Sequence, residues 1–173
     1  DGLHYSPMAF LLMSAAFPGA PVLPKGTAGR PPKGTLPLSG LPETLAALPR
    51  PRKHYRWYYS TPEANGDMWH CPQGVHDFLR AYFHFKSGNW RGNEPFPLAS
   101  WAASELARMP TYYVMELGEN MAETVAPEMP AADEIASCAW LTQAELAVYS
   151  SEYGRTGFQG GLQGYRIGTD PRF

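Results

Sequence analysis

The chain has 173 residues, of which 44% are hydrophobic and 17% are charged, and its formal net charge is −2. A chain of this length and composition has enough apolar residues to bury a core, which argues against global disorder. Its small net charge provides no basic surface for nucleic acid or for an anionic membrane, so neither is expected as a partner.

The cysteines and histidines of the sequence indicate no metal site. Cys71 and Cys138 lie far apart and match no metal-ligand spacing, and the five histidines form no ligand cluster with them. We therefore expect no metal and no cofactor. Two free thiols in a reducing compartment are favoured over a structural disulfide, which predicts a cytoplasmic location.

A membrane-spanning helix needs ~20 apolar residues, and no run in this sequence reaches that length. Residues 8–16 are apolar but short. They are predicted as a buried strand or helix rather than a signal peptide, because Asp1 and His4 stand where a basic region would be expected.

The first third of the chain is predicted to have little regular structure. Residues 10–14 fit a buried strand, and residues 18–52 are dense in proline. Because proline fixes φ and removes a backbone donor, only one short helix is expected in that stretch, over residues 42–48. The stretch is interpreted as a linker to a second module that begins at residue 53.

The second module is predicted to be mainly helical. Residues 72–88 carry apolar side chains at three- and four-residue spacing, which is typical of an amphipathic helix. Further helices are expected over residues 98–109, 142–153 and 160–166, the third of these opened by the capping-box pair Thr142 and Glu145. Strands are scarce, and residues 112–115 offer a short one.

Two segments carry a resemblance to a known family. Residues 54–64 read HYRWYYSTPEA, an aromatic-rich segment headed by Tyr55 that runs into a Pro-Glu step. Residues 155–166 read RTGFQGGLQGYR, a Gly-Phe-x-Gly turn followed by a leucine and then by Tyr165 and Arg166. The two segments, at this separation, resemble the beginning and the end of the cap of epoxide hydrolase-like α/β-hydrolases.

A weaker match at residues 6–21 resembles the turn after the family's nucleophile and the strand that follows, with about a helix missing between them. The resemblance implies an α/β-hydrolase-derived chain in three parts. Residues 1–17 would be a stub of the core, residues 18–52 a linker, and residues 53–173 a mainly α-helical cap domain with few strands. The core sheet would be largely missing from this chain.

The chemistry that the resemblance implies depends on two phenols. Opening an epoxide creates an alkoxide, so a group that hydrogen-bonds the ring oxygen and delivers a proton lowers the barrier. By resemblance, Tyr55 and Tyr165 are those donors. In the family an aspartate forms an ester with the substrate, and a His–acid pair activates the water that hydrolyses it. The expected substrate is a small apolar epoxide, and Trp57 and Tyr59 are expected to line its pocket.

Each of these aromatic residues also has a plain structural interpretation as a packed core ring. The family's nucleophile and base are not at matching positions. Alignment on residues 6–7 puts Leu3 at the nucleophile position, Asp1 lies two residues earlier, and no histidine matches the catalytic one.

Three functions therefore stay open. The first is an epoxide hydrolase, and the second is a related haloalkane dehalogenase. The tyrosine pair argues against the second, because the resemblance implies Trp or Asn donors for a halide. The third is a non-catalytic truncated cap module or binding scaffold. A homo-oligomer, or a core segment missing from this chain, also stays open.

Overall fold

The computed structural model describes residues 40–169. In that range the helices are α1 (Leu41–Ala46), α2 (Tyr55–Ser60), α3 (Glu63–Trp69), α4 (Gly74–Phe85), α5 (Ala103–Leu106), α6 (Met121–Val125), α7 (Ala132–Ala136), α8 (Gln143–Thr156) and α9 (Gln159–Thr169). Two short strands, β1 (Arg52–His54) and β2 (Val114–Glu116), pair antiparallel. The predicted mainly helical architecture with few strands is confirmed. Derivation from an α/β-hydrolase stays a prediction.

Helix α4 forms the centre of the main core. The amphipathic pattern predicted it over residues 72–88, and it extends over Gly74–Phe85. Its buried side chains pack against α8 and α6. The buried aromatic and aliphatic residues on this helix are Phe78, Leu79, Ala81, Tyr82, Phe83 and Phe85. Most of the stability of such a helix comes from this burial rather than from helix propensity.

Helix α8 begins with the predicted capping box. The Thr142 hydroxyl accepts a hydrogen bond from the Glu145 amide at 3.3 Å, and the Glu145 carboxylate accepts one from the Thr142 amide at 2.8 Å. The last helical residue is Thr156, slightly further along than predicted, and Gly157 is the C-cap. Helix α9 follows almost at once and is longer than the predicted segment 160–166.

The helix predicted over residues 98–109 is mostly wrong, since only Ala103–Leu106 is helical. The Ser100 hydroxyl accepts a hydrogen bond from the Ala102 amide at 3.2 Å, which is a local turn that competes with a helical start. Trp101 is exposed rather than part of an apolar face, so packing does not extend the helix backwards.

The described part of the predicted linker is ordered against the second module. Leu41 and Leu45 on α1 are buried with Leu106 and Val114 in a second, smaller core cluster. Strand β1 adds to this contact, because the Arg52 guanidinium donates to the Val114 carbonyl and pairs with a β2 carboxylate. The three-part division of the chain stays a prediction, and residues 1–39, with the predicted stub, strand and front match, lie outside the described residues.

Candidate functional site

The two tyrosines singled out by the sequence lie side by side. Tyr55 is the first residue of α2 and Tyr165 lies on α9, and these two helices pack against each other. The ring centroids are 5.9 Å apart, with the ring planes at 76°. Both side chains are partly exposed. This edge-to-face contact depends on the packing of α2 against α9.

The backbone before α2 fixes the position of Tyr55. The Tyr55 amide donates to the Tyr113 carbonyl at 2.9 Å, which continues the β1–β2 pairing by one bond. His54 caps the helix, its Nδ1 accepting from the Arg56 amide at 3.3 Å. Burial, with a smaller contribution from Arg56, lowers the pKa of His54 to about 4. The imidazole is therefore neutral near pH 7, as a cap acceptor must be.

The turn between α8 and α9 fixes the position of Tyr165. Gly157 has φ +65°, and the next amide, that of Phe158, donates to the Asn65 side chain at 2.8 Å. Phe158 stacks on Tyr153 with centroids 4.5 Å apart. The turn directs α9 so that Leu162 is fully buried, one helical turn before Tyr165.

Gly157→Ala is expected to lower the free energy of unfolding by about 1–3 kcal/mol, because an L side chain is strained at this φ. The added Cβ would also lie 2.9 Å from Asn65 Oδ1 and 3.0 Å from the Trp69 ring. Gly154→Ala is the matched control. It lies within α8 with open space around it, so it should be neutral or stabilising by about 0.4–1 kcal/mol. Urea unfolding of both variants checks this, and equal stabilities would contradict the assigned turn.

A third predicted residue lies beneath the pair. The Tyr59 ring is 5.6 Å from that of Tyr55 and 5.1 Å from that of Tyr165, and only 1% of the residue is exposed. The Tyr59 hydroxyl donates to that of Tyr82 at 3.2 Å. Trp57 packs partly buried against the second core cluster. In this structure Tyr59 supports the pair from the core, and the substrate contacts of Tyr59 and Trp57 stay predictions.

Further rings complete an aromatic group that we call the tyrosine cluster, consisting of Tyr55, Tyr59, Tyr82, Tyr112, Tyr113 and Tyr165. The Tyr113 ring is 5.7 Å from that of Tyr55 and 4.5 Å from that of Tyr112. Burial is the main cause of the raised pKa values of its phenols, and it raises that of Tyr165 to about 12, with Tyr55 contributing. These phenols stay protonated at neutral pH and can donate hydrogen bonds.

The hydroxyls of the pair are unengaged within the part of the chain that the structure describes. No hydrogen bond joins the Tyr55 or Tyr165 hydroxyl to another side chain or to the backbone in residues 40–169, whereas those of Tyr59 and Tyr82 bond each other. Two protonated phenols whose rings are 5.9 Å apart, partly exposed and without hydrogen-bond partners in this range, can donate hydrogen bonds to a ligand.

Sequence reasoning missed one charged group at the cluster. Lys86 follows the last residue of α4, and its ammonium lies over the rings of Tyr82, Tyr112, Tyr113 and Tyr55, at 4.4, 4.9, 5.6 and 5.9 Å from their centroids. Burial lowers the pKa of Lys86 to about 7. The only signal in the sequence was a lysine directly after an aromatic-rich amphipathic helix, which does not identify the rings it meets.

A separate open recess of about 310 Å³ lies near the start of α8. It is lined by Arg80, His84, Cys138 and Trp140 among others. Arg80 is buried and donates to the Leu141 carbonyl, so its guanidinium is part of the packing between α4 and the residues before α8. Both cysteines of the chain are free thiols.

No helix in residues 40–169 is long and apolar enough to cross a membrane. The same residues contain no group of three or more His, Cys, Asp or Glu side chains placed to hold a metal ion. In comparisons with known proteins, no family model, curated protein or solved structure matches the chain. The resemblance to epoxide hydrolases therefore rests on residues 54–64 and 155–166, with the weaker match at residues 6–21, and stays a prediction.

Proposed function

We propose that this protein is an epoxide hydrolase-like hydrolase that opens a small apolar epoxide to a diol, with Tyr55 and Tyr165 as donors to the ring oxygen. The observation that carries the proposal is the approach of these two rings to 5.9 Å, from segments at opposite ends of the second module. Their hydroxyls, which make no hydrogen bond within residues 40–169, support it further.

The donors act as the carbon–oxygen bond of the epoxide breaks. Negative charge develops on the ring oxygen, and two O–H groups aimed at that oxygen stabilise it more in the transition state than in the ground state. One phenol then transfers its proton, which yields the alcohol rather than a free alkoxide, and the resulting tyrosinate recovers a proton when water hydrolyses the ester. Because burial keeps the Tyr55 and Tyr165 phenols protonated, the donors are in the required state over the neutral range.

The surroundings suit an apolar substrate. Rings of the tyrosine cluster line the region around the pair, and aromatic walls with a few polar groups are typical of small-molecule sites. By resemblance, the attacking group is an aspartate that forms an ester, which water then hydrolyses. Within residues 40–169 no carboxylate hydrogen-bonds or ion-pairs with the tyrosine cluster, so we assign the nucleophile to no described residue.

Diol formation from styrene oxide, followed by chromatography, tests the proposal on a sample whose intact mass is 19.1 kDa. Phenylethanediol should form well above the protein-free rate. If no diol forms above that rate even at high protein concentration, the hydrolase proposal is overturned, and the scaffold alternative is favoured.

A single turnover in H₂¹⁸O, with protein in excess over styrene oxide, tests the ester separately. Carboxylate attack places an unlabelled protein oxygen in the first diol molecule, and the water oxygen enters the carboxylate when the ester carbonyl is attacked. If every diol molecule of the first turnover carries one ¹⁸O atom, water has attacked the epoxide directly. That result is compatible with the hydrolase function but rules out the ester intermediate.

A further inference from the structure

The lysine at the tyrosine cluster differs in its surroundings from two basic residues on β1. Arg52 pairs with Glu116 at 3.0 Å, and Lys53 has Asp67 among the charges that act on it. Lys86 has neither a carboxylate nor a hydrogen-bond acceptor within the described range. Buried or half-buried cations are ordinarily paired, because an unpaired charge loses its hydration without compensation.

In the part of the chain that the structure describes, four tyrosine rings face the Lys86 ammonium. Tyr82 precedes it on α4, Tyr55 comes from α2, and Tyr112 and Tyr113 come from the turn before β2. The ring faces attract the ammonium, but they carry no net charge to neutralise it. Desolvation by burial is the sole cause of the lowered pKa of Lys86, so no described carboxylate compensates for it.

Three of the four tyrosines whose rings surround this cation, Tyr55, Tyr112 and Tyr113, carry hydroxyls that make no hydrogen bond within residues 40–169. Within the described residues the hydroxyls of Tyr112 and Tyr113, like those of Tyr55 and Tyr165, make no hydrogen bond. All four tyrosines and Lys86 are partly exposed residues, while the Lys86 ammonium itself is largely buried beneath the rings, so a ligand approaches it along the partly exposed tyrosine hydroxyl edge of the cluster. An ammonium without a counter-ion among the described residues, beside tyrosines whose hydroxyls can donate, is complementary to an anion with more than one acceptor oxygen.

We infer that the tyrosine cluster binds a carboxylate, with Lys86 as its counter-ion and free tyrosine hydroxyls as additional donors. One cation matches one negative charge, which favours a carboxylate over a phosphate dianion. The inference rests on the proposed function for the reacting group, and it predicts that a carboxylate carried by a small, otherwise apolar epoxide strengthens its binding. Binding of a carboxylate at this site can be measured without any catalytic turnover.

The protonation state of Lys86 determines how the affinity for a carboxylate changes with pH. An anion binds the charged form of Lys86, so binding raises the pKa of Lys86 above its value of about 7 in the free protein. Affinity for a carboxylate should then be greatest below pH 7 and fall as the pH rises, by up to about tenfold per unit. A neutral ligand should show no such fall.

Isothermal titration calorimetry with phenylacetate and its neutral analogue phenylacetamide tests this. We expect phenylacetate to bind at least tenfold more tightly at pH 6.5, with that preference largely lost at pH 8.5. At pH 7.5, titrations in buffers of different ionisation enthalpy should show proton uptake. Lys86→Met should abolish the preference. Lys53→Met, at a lysine that lies over the single ring of Tyr58, should retain it.

Reductive ¹³C-methylation of the wild-type protein gives a measurement that needs no variant. The dimethyl-lysine signal of Lys86, assigned by its loss in Lys86→Arg or by peptide mapping, should titrate near pH 7 and shift to higher pH when phenylacetate is added. Equal affinity for the two ligands, no binding of phenylacetate, or a Lys86 titration that phenylacetate does not move would each overturn the inference.

The outcomes separate this inference from the proposed function. If styrene oxide is hydrolysed but phenylacetate binds no more tightly than phenylacetamide, the inferred carboxylate site is rejected and the proposed hydrolase function is retained. If phenylacetate is preferred through Lys86 but no epoxide is hydrolysed, the anion site stands, and the hydrolase function and the epoxide class fail.

Discussion

Replacing Tyr55 and Tyr165 together with phenylalanine should nearly abolish epoxide opening. Each change removes one hydroxyl and leaves the ring in place. Loss of a single transition-state donor typically lowers kcat by about 10²–10³-fold, and the double variant should lose at least that much. The two losses need not add, because the donors act on the same oxygen. Steady-state kinetics with styrene oxide on both single variants and on the double variant measures these losses.

The stability of these variants should change little. Neither hydroxyl has a hydrogen-bond partner in residues 40–169, so the free energy of unfolding should stay within about 0.5 kcal/mol of wild type. Tyr153→Phe is the control for loss of a phenol. Its ring stacks on Phe158 outside the tyrosine cluster, and its kcat should match wild type. Undiminished turnover by the double variant would remove both tyrosines from the mechanism.

Leu162→Ala should produce the largest loss of stability among simple truncations near the site. Leu162 is fully buried on α9, where that helix packs against α2. Leucine-to-alanine changes at such positions cost about 2–5 kcal/mol, from lost burial and the remaining cavity. Since the same helix positions Tyr165, hydrolase activity should also fall. Urea unfolding followed by circular dichroism measures the loss.

Ile167→Ala is the matched control, because Ile167 lies on the same helix but is 54% exposed. It should change the free energy of unfolding by no more than about 0.5 kcal/mol. If the two variants are equally stable, α9 does not bury the face described here, and the position of Tyr165 against α2 would need another explanation.

The elements that the sequence predicted best have local signals. The apolar spacing around Phe78 and Tyr82 specifies α4, and the Thr142–Glu145 pair specifies the start of α8. The short helix α1 was predicted from Pro42, but α3 and α6 were not, since helices of five to seven residues depend on tertiary packing rather than on propensity. Helix α6 nevertheless has a readable signal in Asn120 and Glu123, which form a capping box.

The site was predictable only in part. The identification of Tyr55 and Tyr165 came from the resemblance of two segments, and no periodicity in the sequence relates residues so far apart. Their approach depends on the turn at Gly157 and on the burial of Leu162. The surroundings of Lys86 were not predictable, because its four rings come from three different parts of the chain.

A crystal structure of the protein with the diol product, phenylethanediol, tests the central claim most directly. One oxygen of the diol should lie within hydrogen-bonding distance, about 2.6–3.2 Å, of both the Tyr55 and the Tyr165 hydroxyl oxygens. A diol bound elsewhere, or bound at the cluster with its oxygens out of reach of either hydroxyl, would contradict the two-phenol clamp.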